Sequence, residues 1–68
     1  MEKFAERLKE LRIEKELTQT QLAKETGLSQ AGLAHWEANI RVPNAMAVII
    51  LAKYFGVTTD YLLGVSDN

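Results

Sequence analysis

A chain of 68 residues is one domain near the lower size limit for folding without cross-links, and it contains no cysteine for a disulfide or a thiolate metal site. The formal net charge is −1, with eight basic residues against nine acidic ones, which argues against a strong sequence-independent grip on DNA. The longest apolar run, 45–52, is too short to span a bilayer, and the charged segment 1–16 is not a signal peptide, so we expect a soluble cytoplasmic domain without metal or cofactor.

The first predicted helix runs from about Glu2 to Lys15. Its apolar residues recur at helical spacing and define one buried face: Phe4, Leu8 and Leu11. Its charged residues, including Arg7, are expected on the solvated side. Arg12 is different, because it flanks the apolar face. Glu16 follows the helix at a position where a left-handed backbone is expected, although glycine would adopt it more easily.

The segment 18–37 predicts two short helices joined by a tight turn, Gln19–Thr26 and Gln30–Glu37. Their ends are marked by local signals: a Thr18/Gln21 capping box, Gly27 in a left-handed conformation, Leu28 as a buried turn residue, Ser29 as the second N-cap and Asn39 as a left-handed C-cap. Two helices joined by a glycine-bearing turn are the helix-turn-helix signature. In DNA-binding proteins the second of these helices enters the major groove.

Two further helices are predicted after an extended segment that ends at Pro43. Asn44 caps the first of them, from Ala45 to about Phe55, and Thr58 caps a short one, Thr59–Leu63. Gly56 and Gly64 end them, and 65–68 is expected to be a frayed tail. The interior positions of helices two to four are Leu22, Ala23, Leu33, Trp36, Val48, Leu51, Ala52 and Phe55. The prediction is a single all-α domain of five helices.

The fourth helix is apolar on every side over 45–52, so one small core cannot bury all of it. With the interior positions assigned as above, Met46, Ile50 and Tyr54 recur at i, i+4 and i+8 and form an outer stripe. An exposed apolar stripe suggests a protein contact, and we expect it to extend a homodimer interface or to bind another domain. Scattered surface residues without a partner are the alternative.

An ordered set of residues along nearly the whole chain resembles a known family. The set comprises Leu17-Thr18-Gln19, Leu22-Ala23, Gly27-Leu28-Ser29-Gln30, Trp36-Glu37, Pro43, Leu51-Ala52-Lys53, Phe55-Gly56-Val57 and Asp60-Tyr61-Leu62-Leu63-Gly64. It is similar to the Cro/C1-type helix-turn-helix domain of phage repressors and their bacterial xenobiotic-response-element relatives. The resemblance implies a compact lambda-repressor-like domain, 1–64, that binds double-stranded DNA at a two-fold operator as a homodimer and acts as a transcriptional repressor.

The resemblance also implies roles for individual residues. Base contacts fall on Gln30, Ala31 and His35; contacts to the DNA backbone fall on Gln19, Ser29, Lys24 and Arg41. Arg12 and Glu37 match a structural ion pair, and Thr59 and Tyr61 match a dimer contact, to which the stripe adds Met46 and Ile50. The family often carries more basic residues around Arg41, so a weaker phosphate grip is expected here.

Two other classes of function compete with DNA binding. A protein-interaction or antitoxin-like module on the same scaffold is favoured by the acidic balance and by the small side chains of the predicted recognition helix. The Gln19/Gln30 pair opposes that interpretation. An enzyme is not expected, because the chain lacks a nucleophilic cysteine and a glycine-rich phosphate loop, and its one histidine has no evident partner. No small-molecule ligand is indicated.

Overall fold

The computed structural model describes residues 1–67, and within them all regular structure is helical. The five helices are α1 (Glu2–Glu14), α2 (Gln19–Thr26), α3 (Gln30–Glu37), α4 (Ala45–Phe55) and α5 (Thr59–Leu63). The all-α prediction is confirmed, and α2 to α5 have the predicted bounds. Helix α1 ends one residue earlier than expected, with Lys15 as its C-cap. Within residues 1–67 no helix combines the length and apolar character needed to cross a membrane.

Side chains cap the start of every helix after α1. In each case an oxygen of the capping residue accepts a hydrogen bond from a backbone N–H of the first turn; the caps are Thr18, Ser29, Asn44 and Thr58. At Thr18 the bond is reciprocal: its Oγ1 accepts from the Gln21 N–H at 3.0 Å, and Gln21 Oε1 accepts from the Thr18 N–H at 2.8 Å. Each cap stabilises its helix by about 1 kcal/mol. Helix α1 has Met1 at this position and no side-chain cap.

Left-handed residues end several helices. Glu16 (φ 55°) and Asn39 (φ 58°) take this conformation as predicted, although both carry a Cβ. Gly64 (φ 81°) ends α5, and a Cβ there would lie 2.3 Å from the Cβ of Lys3. Glycine is therefore required at position 64 both for the backbone conformation and for the close approach of α5 to α1.

The core forms where all five helices meet. Its fully buried large side chains are Phe4, Leu8, Leu22, Leu33, Leu51 and Leu62. Burying each contributes about 1.5–3 kcal/mol of transfer free energy. The ring of Trp36 packs edge-on against Phe4, with centroids 6.4 Å apart, and joins α3 to α1. Several residues expected inside pack only at the edge of this core and stay partly exposed: Leu11, Ala23, Leu28, Trp36 and Phe55. Ala5 and Ala47 are buried without having been predicted.

The expected outer stripe of α4 is wrong in its composition. Met46 is 65% exposed, but Ile50 is half-buried, and Tyr54 packs against the core. A step of four residues turns a helix by about 40° beyond a full circle, so a stripe at i, i+4 and i+8 drifts towards the core. The apolar neighbour that remains exposed beside Met46 is Ile49, at 42%. Ile40 and Val42, in the loop before α4, are also exposed.

The residues after α5 are held more firmly than a frayed tail. The N–H of Val65 donates to the Asp60 carbonyl at 2.8 Å, and the Arg7 guanidinium donates to the Ser66 carbonyl at 2.7 Å. Arg7 also donates to the carbonyl of Tyr61 and lies over its ring, 4.2 Å from the centroid. The expectation that Arg7 belongs to a solvated face is therefore wrong. Asn68, the last residue of the expected tail, lies outside the described residues.

Candidate nucleic-acid interface

A tight turn sets the angle between α2 and α3. Gly27 (φ 77°) leaves α2 in a left-handed conformation, with its N–H bonded to the Ala23 carbonyl at 2.8 Å. Thr26 secures the turn, because its hydroxyl donates to the Leu22 carbonyl at 2.8 Å and accepts from the Leu28 N–H at 3.3 Å. Leu22 and Leu33, both fully buried, hold the two helices against the core. The start of α3 is therefore held in a defined position beside the start of α2.

The end of α3 is fixed by an ion pair between Arg12 and Glu37, which the resemblance implied. Arg12 Nε lies 2.7 Å from Glu37 Oε2, and Arg12 Nη2 lies 2.9 Å from Glu37 Oε1, so the contact is bidentate. Arg12 Nη1 also donates to the Leu17 carbonyl at 2.7 Å. The hydrogen bond to Glu37 raises the pKa of Arg12, so the guanidinium stays charged. Helix α1, the segment before α2 and the end of α3 are thereby tied at one point.

Two glutamine amides extend this ion pair to the surface. Gln19 is half-buried and donates from Nε2 to Glu37 Oε1 at 3.2 Å. Gln30 is exposed and donates from Nε2 to Gln19 Oε1 over a longer distance of 3.4 Å. The structure therefore brings together the residue predicted to touch a phosphate and the residue predicted to read a base. Sequence reasoning missed the link from Gln19 to Glu37, since the two lie 18 positions apart and no local pattern connects them.

The surface around Gln30 is built from small side chains. Ala31 is exposed, and Ala34 and His35 are half-buried on the same helix. A Cβ at Gly32 would meet the Trp36 ring at 3.4 Å, an ordinary contact distance, so the packing of this chain does not itself require glycine there. Since glycine inside a helix costs about 1 kcal/mol relative to alanine, its presence agrees with an external surface that approaches α3 closely.

The residues predicted to contact a DNA backbone lie around this surface. Ser29 is exposed and uses its Oγ to accept from the Gly32 N–H at 2.9 Å, and the same hydroxyl can still donate one hydrogen bond. Lys24 in α2 and Arg41 in the loop after α3 are exposed. No carboxylate among residues 1–67 forms an ion pair with either cation. Both side chains are therefore available to a partner on the solvent side.

The positions predicted to form a dimer contact lie in α5. Thr59 and Tyr61 are both half-buried. One face of the Tyr61 ring is covered by Arg7 of the same chain.

No metal ion has an evident site in the part of the chain that is described. No three His, Asp or Glu side chains among residues 1–67 converge in a way that could hold a metal ion. An open groove of about 310 Å³ lies between α1 and the end of α3. Its lining carries both signs of charge: Glu2, Ala5, Glu6, Lys9, Glu37 and Asn39.

Comparison with known proteins agrees with this architecture. A family model described as helix-turn-helix matches residues 8–62. The chain is 34% identical over 65 residues to the HTH-type transcriptional regulator YobD of Bacillus subtilis, covering 96% of this chain and 58% of that protein. It is 40% identical over 60 residues to the HTH-type transcriptional activator BcrR of Enterococcus faecalis (88% and 29%), and 34% identical over 61 residues to the HTH-type transcriptional regulator ImmR of Bacillus subtilis (90% and 48%).

The chain thus spans between 29% and 58% of the length of these relatives. The matched residues run from Leu8 in α1 to Leu62 in α5 and include the whole α2–turn–α3 unit. The predicted resemblance is confirmed: the chain belongs to the Cro/C1-type helix-turn-helix family.

Proposed function

We propose that this domain binds double-stranded DNA in a sequence-specific manner and regulates transcription, with α3 in the major groove. The observation that carries the proposal is the hydrogen-bonded pair of Gln19 and Gln30, presented side by side at the starts of α2 and α3. A glutamine amide matches the N6 donor and N7 acceptor of adenine, and such a bidentate contact is worth about 1–3 kcal/mol of discrimination. Gln30 is the base-reading residue in this proposal.

The shape of α3 supports an approach to base edges. The helix has eight residues and is therefore about 12 Å long, comparable to the width of the major groove. Beside Gln30, Ala31 is small enough for its methyl group to touch a thymine methyl, and Gly32 adds no side chain. His35, one turn further on, is the third base-facing residue of the proposal.

Contacts to phosphates come from four residues around this helix. Gln19 has a second amide N–H beyond the one given to Glu37, and it lies at the N-terminus of α2, where the helix dipole favours an anion. The hydroxyl of Ser29 and the cations of Lys24 and Arg41 complete the set. Four such contacts, only two of them cationic, give a modest electrostatic grip, in keeping with the net charge of −1.

The regulatory unit of the proposal is a homodimer on a two-fold operator. Two copies would place their α3 helices in successive major grooves about 34 Å apart. The contact between copies involves Thr59 and Tyr61 in α5, with Met46 and Ile50 of α4 as further contact residues. Thr59→Arg tests this arrangement: sedimentation should show a shift towards monomer, with loss of affinity for a two-fold site and retention for a single half-site.

Occupying a promoter is sufficient for repression, whereas activation needs a further contact with the transcription machinery. We therefore propose repression as the activity of the domain by itself, exerted in the cytoplasm, where it would have access to bacterial DNA.

Selection of bound sequences from a random duplex pool tests the proposal most directly. We expect an enriched site with two-fold symmetry, an adenine preference in each half-site, and loss of that preference in Gln30→Ala. Affinity should fall as salt rises, with a shallow slope set by the two cationic contacts of each copy. Enrichment of no sequence above the starting pool would contradict the proposal.

A protein-interaction module is the second candidate. The observation that favours it is the group of exposed apolar side chains between α3 and the middle of α4: Ile40, Val42, Met46 and Ile49. If the module binds protein rather than DNA, Gln30→Ala will leave its function unchanged, whereas Met46→Lys with Ile49→Lys will abolish it.

A further inference from the structure

Glu37 lies at the far end of α3 from Gln30, yet the two are linked by hydrogen bonds. Glu37 Oε1 accepts from Gln19 Nε2 at 3.2 Å, and Gln19 Oε1 accepts from Gln30 Nε2 at 3.4 Å. The Glu37 side chain is only 5% exposed, and both of its oxygens are held by Arg12. The carboxylate is therefore a fixed starting point for the chain of amides.

The chemistry of these groups allows one orientation for each amide. A carboxylate paired with arginine offers acceptors only, so Gln19 must face Glu37 with its NH₂ group. Its oxygen then faces Gln30 and likewise can only accept. Gln30 must in turn present its own NH₂ group to Gln19. The orientation of both amides follows from the chemistry of Glu37.

Building on the proposed function, in which Gln30 reads a base, we propose that Glu37 is a positioning residue that makes this site favour adenine over guanine. In the imposed orientation one N–H of Gln30 is used by Gln19. The other N–H and the oxygen point to the base, where they match adenine N7 and N6. Guanine offers two acceptors, N7 and O6, so it repels the amide oxygen of Gln30. Reversing the amide would set the oxygens of Gln30 and Gln19 against each other.

The test measures base preference rather than affinity alone. With the full 68-residue chain, the base read by Gln30 is first located as the position whose preference is lost in Gln30→Ala. Dissociation constants are then measured for two duplexes that differ only there, A·T against G·C. Gln19→Met removes the link and leaves the Arg12–Glu37 pair intact. Glu37→Gln keeps the shape of the side chain, but the new amide can present either a donor or an acceptor to Gln19.

The preference for adenine is the affinity for the A·T duplex divided by the affinity for the G·C duplex. We expect both variants to lower this ratio by about 2- to 12-fold, the equivalent of one neutral hydrogen bond. Loss of a phosphate contact by Gln19→Met weakens both duplexes equally and leaves the ratio unchanged. Arg7→Gln is the matched control: it removes a mostly buried arginine contact of α1 that is not linked to Gln30. This control should lower the melting temperature and keep the wild-type ratio.

Each remaining outcome contradicts either the positioning role of Glu37 or the proposed reading of a base by Gln30. If Gln30→Ala abolishes the preference but Gln19→Met keeps the wild-type ratio, the positioning role is wrong and the proposed function stands. Preference of the wild type for guanine at this position would also overturn the positioning role. If Gln30→Ala changes no base preference, the proposed reading residue itself is wrong. Should Glu37→Gln fail to fold, Gln19→Met decides alone.

Discussion

Two arginines of α1, Arg12 and Arg7, join this helix to different parts of the domain, α3 and α5, by different chemistry. Their side chains are 14% and 12% exposed, so their burial is nearly the same. Arg12 binds the carboxylate of Glu37 in a bidentate contact and is linked through Gln19 to the surface that we propose faces DNA. Arg7 binds the backbone carbonyls of Tyr61 and Ser66 and stacks on the Tyr61 ring.

The difference lies in what is left when the contact is broken. Removing a partner of Arg12 strands a mostly buried charge, which costs several kcal/mol. Removing Arg7 leaves carbonyl groups near the surface, and water can replace part of the lost hydrogen bonding. The Arg12 contact should therefore matter more for stability, and it alone should affect base reading.

The largest expected effect is that of Glu37→Ala, which leaves Arg12 without its carboxylate. We expect a loss of about 3 kcal/mol, a large part of the 5–15 kcal/mol typical of small domains. Thermal or denaturant unfolding followed by circular dichroism measures it. Glu10→Ala, an exposed position on the same α1, is the control and should leave stability nearly unchanged. An unchanged melting temperature for Glu37→Ala would contradict the structural role of the ion pair.

Arg7→Ala should cost less, about 2 kcal/mol, because hydrogen bonds from a charged donor are lost but no charge is stranded. The same unfolding experiment measures it, with the exposed Lys9→Ala as control. Below its melting temperature the variant should bind DNA with the affinity of the wild type. A larger loss than for Glu37→Ala would reverse the ranking of the two contacts.

Gly32→Ala is expected to change stability and DNA affinity in opposite directions. Gly32 lies in α3, the helix that Arg12 binds through Glu37. The added methyl meets the Trp36 ring at 3.4 Å, so the fold accepts it, and we expect a gain of about 0.5–1 kcal/mol. DNA affinity should fall in the same variant, because the proposed close approach of α3 to the groove would leave no room for a side chain at position 32. Wild-type affinity would show that close approach does not explain this glycine.

Glu16→Gly probes the segment beside Arg12, whose guanidinium binds the next carbonyl, that of Leu17. At φ 55° the Cβ of Glu16 is unfavourable, and the greater flexibility of unfolded glycine offsets part of the relief. We expect a gain of about 0.5 kcal/mol by denaturant titration. Asn39→Gly, at φ 58°, should gain less, since asparagine tolerates this conformation better. Destabilisation by Glu16→Gly would indicate that its side chain has another role.

The smallest effect should come from Asp67→Ala, which removes the exposed carboxylate beside Arg7. The carboxylate lies 3.5 Å from Arg7 and its side chain is 99% exposed, so solvent screens the pair. We expect no measurable change in melting temperature. A clear fall in melting temperature would mean that the Arg7 contact depends on the charge of Asp67. The Arg7 and Arg12 contacts would then both rely on a carboxylate.

The contrast between the Arg12 and Arg7 contacts also explains which parts of the structure could be predicted from the sequence. Signals confined to a few neighbouring residues were read correctly: the Thr18/Gln21 capping box, the left-handed Glu16 and Asn39, and the bounds of α2 to α5. Arg7 was misjudged because its partners are backbone carbonyls, which every residue has, so no pattern of side chains marks them.

At the candidate site, the sequence predicted the residues but not all of the hydrogen bonds that join them. The Arg12–Glu37 pair followed from the resemblance, whereas the bond from Gln19 to Glu37 depends on how the turn at Gly27 sets two helices side by side. The stripe on α4 failed for a geometric reason: its orientation depends on small angular differences that spacing in the sequence does not resolve. DNA contacts and the dimer stay predictions.

The close approach of Gly64 to Lys3 allows the order of the helices along the chain to be changed. Because the first turn of α1 touches the residue that ends α5, and Arg7 binds the Ser66 carbonyl, residues near both termini meet on one side of the molecule. A short flexible linker could therefore join Met1 to Asp67, with new ends opened in the exposed loop at 40–42. Such a circular permutant would keep every helix pairing described above. It would also present α2 and α3 from a chain that begins at α4.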